Sequence, residues 1–182
     1  CELGHAAKTT SGDVALTLAG AVVLARDPAS APGMTSYQVS AEAYAGTEVS
    51  GHVLDQKNIR GHASTVVDGV LGFIHRNTRH PTRVVGARRI ELDEYPSEAL
   101  REAIVNALAH RSYDDTGARV IVRVFSDRVV VASPGGPPGS LTVTRLKSGK
   151  AYPIARNPLI AQSLFNLRLM EHRGSGFKRM QS

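Results

Sequence analysis

One stretch constrains the fold more than any other. Tyr95-Pro96-Ser97-Glu98 opens an apolar pattern that runs to about His110, with Leu100, Ile104 and Leu108 on one face and Ala103 and Ala107 beside them. That period is the mark of an amphipathic helix, and Pro96 suits its N-terminal edge, where a proline gives up no helical hydrogen bond. Two β-rich runs follow, Ala118 to Phe125 and Arg128 to Ala132, joined by Ser126-Asp127 and read as a hairpin. A one-sided helix beside a hairpin implies a shared core.

The rest of the chain is organised around that centre. Residues 1–13 are small and polar and read as a linker stub; residues 14–182 read as one module, with 14–95 its N-terminal part and 96–182 its motif-bearing part. Leu16 to Arg26 is expected to form a short buried helix ended by Asp27-Pro28. Tyr37 to Tyr44 alternates and predicts a half-buried strand, Thr47 to Arg60 is expected to be a loop with at most a short strand near Val53, and Val84 to Leu92 predicts a single strand. Val66, Val67, Val70, Leu71, Phe73 and Ile74 mark an amphipathic helix from His62 to Arg76. After the hairpin, Ser133-Pro-Gly-Gly-Pro-Pro-Gly139 is irregular, Ser140 to Pro153 is a basic loop carrying Arg145, Lys147 and Lys150, and a helix is expected from about Asn157 to Leu167.

Charge narrows the partners. The net charge of +6 is uneven: residues 1–95 hold 9 basic and 10 acidic side chains, whereas residues 96–182 hold 13 and 6. Whatever attracts anions is therefore expected in the second half. The longest apolar stretch, Ala15 to Ala25, is too short to span a bilayer, and no membrane partner is expected. The only cysteine is Cys1, which excludes a disulfide framework and multi-cysteine zinc sites; with no secretory signal at the start, a cytoplasmic protein is expected. The seven histidines show no i, i+4 pair and no HExxH spacing, so no metal site is expected from them.

Three features bear on chemistry. Glu102 and Asn106 are one helical turn apart, with His110 a further turn along the same line. A carboxylate beside a neutral amide oxygen suits orientation of a water and ligation of Mg²⁺. By spacing alone, a solvated helix face with a Glu and an Asn on it is the favoured reading. Gly135, Gly136 and Gly139 allow close backbone approach to a ligand, and also simply make a good turn after a hairpin. Gly174-Ser175-Gly176, before Lys178 and Arg179, resembles a phosphate-binding helix start, or equally a turn between two helices.

Taken in order, PSEALREAIVNALAHRSY, IVRVFSDRVVVASPGGPPGSLT and RNPLIAQSLFNLRLMEHRGSGFKRM form a more specific series than any one piece. The series resembles the C-terminal module of bacterial transcriptional regulators that carry an N-terminal Schlafen AlbA-type domain, proteins often labelled RecG-like ATP-dependent DNA helicases. That module is similar to GHKL ATPases. The resemblance implies an α+β fold, a two-layer α/β sandwich of the divergent GHKL (Bergerat) type, with ATP and Mg²⁺ as cofactors. It also implies that Glu102 is the general base, that Asn106 holds the metal, and that Gly135, Gly136 and Gly139 form the first glycine loop. Residues 140–153, with Lys147 and Lys150, would be the lid, and Gly174, Ser175 and Gly176 the phosphate turn; His110 is grouped with the nucleotide-binding set.

The sequence departs from GHKL enzymes in two respects: Ser133-Pro134 stands where the adenine-reading aspartate would begin the first loop, and the second loop is a bare Gly174-Ser175-Gly176. It also lacks G-x-x-x-x-G-K-[ST], since Gly149-Lys150 is followed by Ala151, so no helicase motor is expected. The function expected is that of a nucleotide-binding, weakly hydrolysing module controlling DNA-binding domains on either side, with a winged helix after residue 182. The alternatives are a catalytically inactive homodimerisation and spacing module and, less favoured, direct DNA binding through the basic half.

Overall fold

A computed structural model describes residues 4–49, 51–85, 88–137, 139, 142, 144 and 154–170, with the backbone alone for 82–85 and 88–91. The chain has an α+β architecture in which helices cover one face of a four-stranded sheet. Strands β1 (Ala6–Lys8) and β2 (Val14–Leu16) form a small hairpin leading into α1 (Leu18–Leu24). Strands β3 (Val39–Tyr44) and β4 (Val53–Ile59) precede α2 (Ala63–Arg76), a second hairpin β5 (Thr82–Val85) and β6 (Arg88–Glu91), and α3 (Ser97–His110). Strands β7 (Val120–Val124) and β8 (Val129–Ala132) follow, and α4 (Pro158–Asn166) is the last described element.

The main sheet has the order β4-β3-β7-β8, with β3 and β7 parallel and the other neighbours antiparallel. Alternation decides which face is covered. Val39, Ala41 and Ala43 pair in register with Val120, Val122 and Val124, and all six are buried beneath the helices. The opposite face carries Glu42 and Arg123, paired in the same register, whose side chains meet at 3.0 Å. Tyr44 donates its hydroxyl to Glu42 at 2.9 Å. Burial alone would raise the Glu42 pKa, but the hydrogen bonds from Arg123 and Tyr44 and the charge of Arg123 outweigh it and hold the carboxyl below its ordinary range.

Helix α2 forms despite several β-branched residues because Val66, Val67, Val70, Phe73 and Ile74 all find the core. Tertiary burial outweighs their weak helix preference. Helix α2 packs on β3, β4 and α3, while α4 packs on α1 and α3.

Three local readings change. Residues 53–59 form a full strand where a loop was expected; β4 is an edge strand, mostly exposed, and is held by pairing with β3, not by an apolar pattern. The single strand expected at Val84 to Leu92 is a hairpin whose second strand pairs back on the first. The first thirteen residues, read as a linker, contain β1. His5 beside it accepts from the Thr17 backbone N–H at 2.9 Å through its carbonyl and donates from Nε2 to Ser163 on α4 at 2.7 Å. Gly20 is required by this crossing: a Cβ there would overlap the His5 carbonyl. Thr17 caps α1 by accepting from the Gly20 N–H at 3.2 Å.

Candidate functional site

Helix α3 turns Ile104, Val105, Leu108 and Ala109 into the core and leaves Glu102, Asn106 and His110 half-buried along one flank. The expected row is present. The Glu102 and Asn106 side chains make no hydrogen bond with another described residue.

The C-terminal end of α3 is where the other elements meet. The last carbonyls of a helix lack their full set of helical partners, and here three side chains reach the carbonyls at this end. Ser133, at the start of the glycine loop, donates to the Ala107 carbonyl at 2.8 Å. Tyr113 donates its hydroxyl to Leu108 at 3.0 Å. Asn157 donates from Nδ2 to Ala109 at 2.8 Å and to Arg111 at 2.9 Å. The Ser112 N–H then donates to the Pro134 carbonyl at 2.8 Å, fastening the loop a second time.

The glycine loop is shaped by the same contacts. Gly135 has a φ of 97°, and a Cβ there would lie 3.1 Å from the Ser112 Cβ and 3.2 Å from an Arg156 guanidinium nitrogen. Only glycine suits both that conformation and that space. The Arg156 guanidinium donates to the Gly136 carbonyl, and its backbone N–H points to His110 Nδ1 at 3.5 Å. Burial, and then the charge of Arg156, hold the His110 pKa below its ordinary value. At neutral pH His110 is therefore a neutral ring whose Nδ1 accepts and whose Nε2 carries the proton.

Behind this junction Arg111 is buried to 1% exposure. It donates to the Ser36 carbonyl, the Ser36 hydroxyl and the Ala118 carbonyl, each at 3.1 Å. Its guanidinium lies 4.8 Å from the centre of the Tyr113 ring. Burial raises the phenol pKa values of Tyr37 and Tyr113 and lowers that of Arg111.

The structure thus brings His110, the Gly135–Gly136 turn and Arg156 together at the C-terminal end of α3, with Asn106 one turn and Glu102 two turns back along the same flank. Gly139, with a φ of 60°, lies further along the loop. Arg145, Lys147, Lys150, Gly174, Ser175 and Gly176 lie outside the described residues. Sequence reasoning missed Arg156, Ser133 and Asn157 as parts of the junction. Only Asn157 carried a local signal, Asn-Pro at a helix start, and that signal says nothing of the two carbonyls its amide reaches.

Residues 117–182 match the family model described as "Putative ATP-dependent DNA helicase recG C-terminal". The matched segment begins just before β7 and takes in the β7–β8 hairpin, the glycine loop and α4, while α3 with its Glu102–Asn106 row lies outside it. The match supports a RecG C-terminal-like ATPase module over those residues. Among solved structures, the chain is similar to the DIP2311 protein from Corynebacterium diphtheriae, with a TM-score of 0.67 and 24% identity over 91% of this chain. That likeness shows a shared fold, and the chain spans about a third of that protein's length, 32%. No curated protein matches the sequence. No helix among the described residues is long and apolar enough to cross a membrane.

Proposed function

We propose that the chain is a nucleotide-binding module of the GHKL-like kind, taking ATP with Mg²⁺ at the end of α3 and hydrolysing it slowly. The observation that carries this reading is the docking of the glycine loop onto the C-terminal end of α3, the helix whose flank carries Asn106 and Glu102 one and two turns before His110. The residues fit the metal and phosphate end of such a ligand. Asn106 would supply an oxygen ligand to Mg²⁺, a hard cation that keeps several waters, and Glu102 would orient and deprotonate the attacking water. Bound Mg²⁺ would supply neutralisation of phosphate charge. Arg156 would add a cation beside it.

Contact with DNA is assigned to domains flanking the module, as the resemblance to the AlbA-type regulators implies. Nucleotide would control those domains only through different affinities for two arrangements of the module. We place such a regulator in the cytoplasm, in line with the AlbA-type regulators that the sequence resembles.

Calorimetry with ATP and Mg²⁺ tests the reading. Binding is expected in the unaltered chain; Glu102→Gln is expected to keep binding and lose turnover, and Asn106→Ala to lose the Mg²⁺ dependence. Absence of binding at millimolar ATP overturns it. A second reading, an inactive homodimerising spacer, is favoured by Ser133: its hydroxyl, at the position of the adenine-reading aspartate, is already spent on the Ala107 carbonyl. A stable dimer by light scattering, unchanged by nucleotide, is the outcome expected from that reading.

A further inference from the structure

A cluster on the other side of α2 has no part in the reading above. His75 lies in the last turn of α2, His80 in the connection to β5, and Asp93 just after β6. The Leu92 N–H donates to the Pro81 carbonyl at 2.9 Å and closes the base of the β5–β6 hairpin, so His80 and Asp93 flank that base. His80 Nδ1 is 3.1 Å and His75 Nδ1 3.7 Å from the same oxygen, Asp93 Oδ1. One donor atom from each of the three residues lies within 4.8 Å of the other two.

The hydrogen bonds orient the cluster. His80 Nε2 is 2.6 Å from the His75 backbone carbonyl, which can only accept, so Nε2 carries the proton. Nδ1 is thereby left facing the Asp93 carboxylate oxygen at 3.1 Å, the ring edge on which a cation shared with Asp93 would sit. A ring N–H held by a backbone carbonyl is also the outer-shell arrangement that orients a metal-binding histidine.

Distance and field agree. Nitrogen and oxygen ligands at about 2.0–2.2 Å from a tetrahedral ion lie about 3.3–3.6 Å from one another. The observed 3.1 and 3.7 Å bracket that range. The last-turn carbonyls of α2 favour positive charge at this end of the helix. The neighbouring Arg76 does not supply it: its guanidinium turns back to the Gly72 carbonyl at 3.0 Å and towards Asp55 at 4.0 Å.

We propose that His75 Nδ1, His80 Nδ1 and Asp93 Oδ1 form a binding site for a borderline divalent cation, Zn²⁺, with water in the fourth position, clipping the base of the β5–β6 hairpin to the end of α2. Two imidazoles and a carboxylate suit zinc over the harder Mg²⁺ or Ca²⁺. The sequence concealed the set because the histidines are five apart and the aspartate thirteen residues further on, a spacing imposed by the hairpin between them.

The test uses the 182-residue chain freed of metal by a chelator and titrated with Zn²⁺ by calorimetry and with Co²⁺ by visible absorption. One equivalent of Zn²⁺ is expected to bind and to raise the melting temperature. Co²⁺ is expected to give the intense bands of a four-coordinate ion. His75→Ala, His80→Ala and Asp93→Asn are each expected to weaken binding by about tenfold or more. Asp93→Asn keeps the side-chain shape, so its folding is readily matched to the unaltered chain. Absence of saturable binding at micromolar protein and metal overturns the proposal, as does binding that all three substitutions leave unchanged, which would place the ion at Cys1 or at other histidines.

Discussion

The Ser133 hydroxyl donates to the Ala107 carbonyl at 2.8 Å, fastening the start of the glycine loop to the last turn of α3. That carbonyl also accepts the Arg111 N–H at 3.1 Å, so Ser133→Ala removes one of its two partners and leaves the helical one. A loss of about 1 kcal/mol is expected in urea denaturation. An unchanged midpoint would mean that the Ser112–Pro134 hydrogen bond holds the loop alone.

Asn157 fastens α4 to the same helix end through two donated hydrogen bonds, at 2.8 and 2.9 Å. Asn157→Ala is expected to cost about 2 kcal/mol, one net hydrogen bond's worth for each carbonyl. Asn157→Asp should not restore it, because a carboxylate cannot donate to a carbonyl. Denaturation of the two variants side by side checks this, and recovery by aspartate would show that residue 157 acts as an ordinary cap of α4.

Glu42 makes the stability depend on acid. Its folded pKa lies below the unfolded value, so the Glu42–Arg123–Tyr44 contacts contribute fully above the unfolded carboxylate pKa of about 4.3 and are lost as pH falls through the lower folded value. Glu42→Gln is expected to cost about 1 kcal/mol at pH 7 and to flatten the acid limb of the stability curve. An acid limb as steep as before would place the dependence on other carboxylates.

His110 titrates below its ordinary value because of burial and then Arg156. Its stabilising contribution is present above about 6.5 and declines as pH falls through the lower folded value. Arg156→Gln removes the second cause and leaves the first, so a partial upward movement of the His110 titration is expected by NMR. Full return to the ordinary value would mean that Arg156 and not burial dominates.

What was legible in the sequence follows from what is local. Helices α2 and α3 and the β7–β8 hairpin announce themselves because their apolar residues recur at the period of the element that buries them. Strand β4 does not, since Asp55, Gln56, Lys57 and Asn58 lie at an edge where backbone pairing alone defines the strand. The Glu102–Asn106–His110 row was readable from helical spacing. The junction that surrounds it was not: Ser133, Asn157 and Arg156 act by reaching backbone carbonyls on α3, and no residue pattern records which carbonyls a fold leaves within reach. The His75–His80–Asp93 cluster was hidden for the same reason, since a hairpin separates its members.

The parallel pairing of β3 with β7 has a kinetic consequence. Between these two central strands lie β4, α2, the β5–β6 hairpin and α3, so Val39 meets Val120 only by closing the whole of that chain into a loop. Closing so long a loop is costly before the pairing repays it. The ordering step in refolding is therefore expected to be this late, non-local closure, on the scale of about milliseconds to seconds and slower than the α2–α3 helix pair would need alone. Until it occurs, the inward face of β3 has no partner on its β7 side, and that is the interval in which the chain is most exposed to wrong associations.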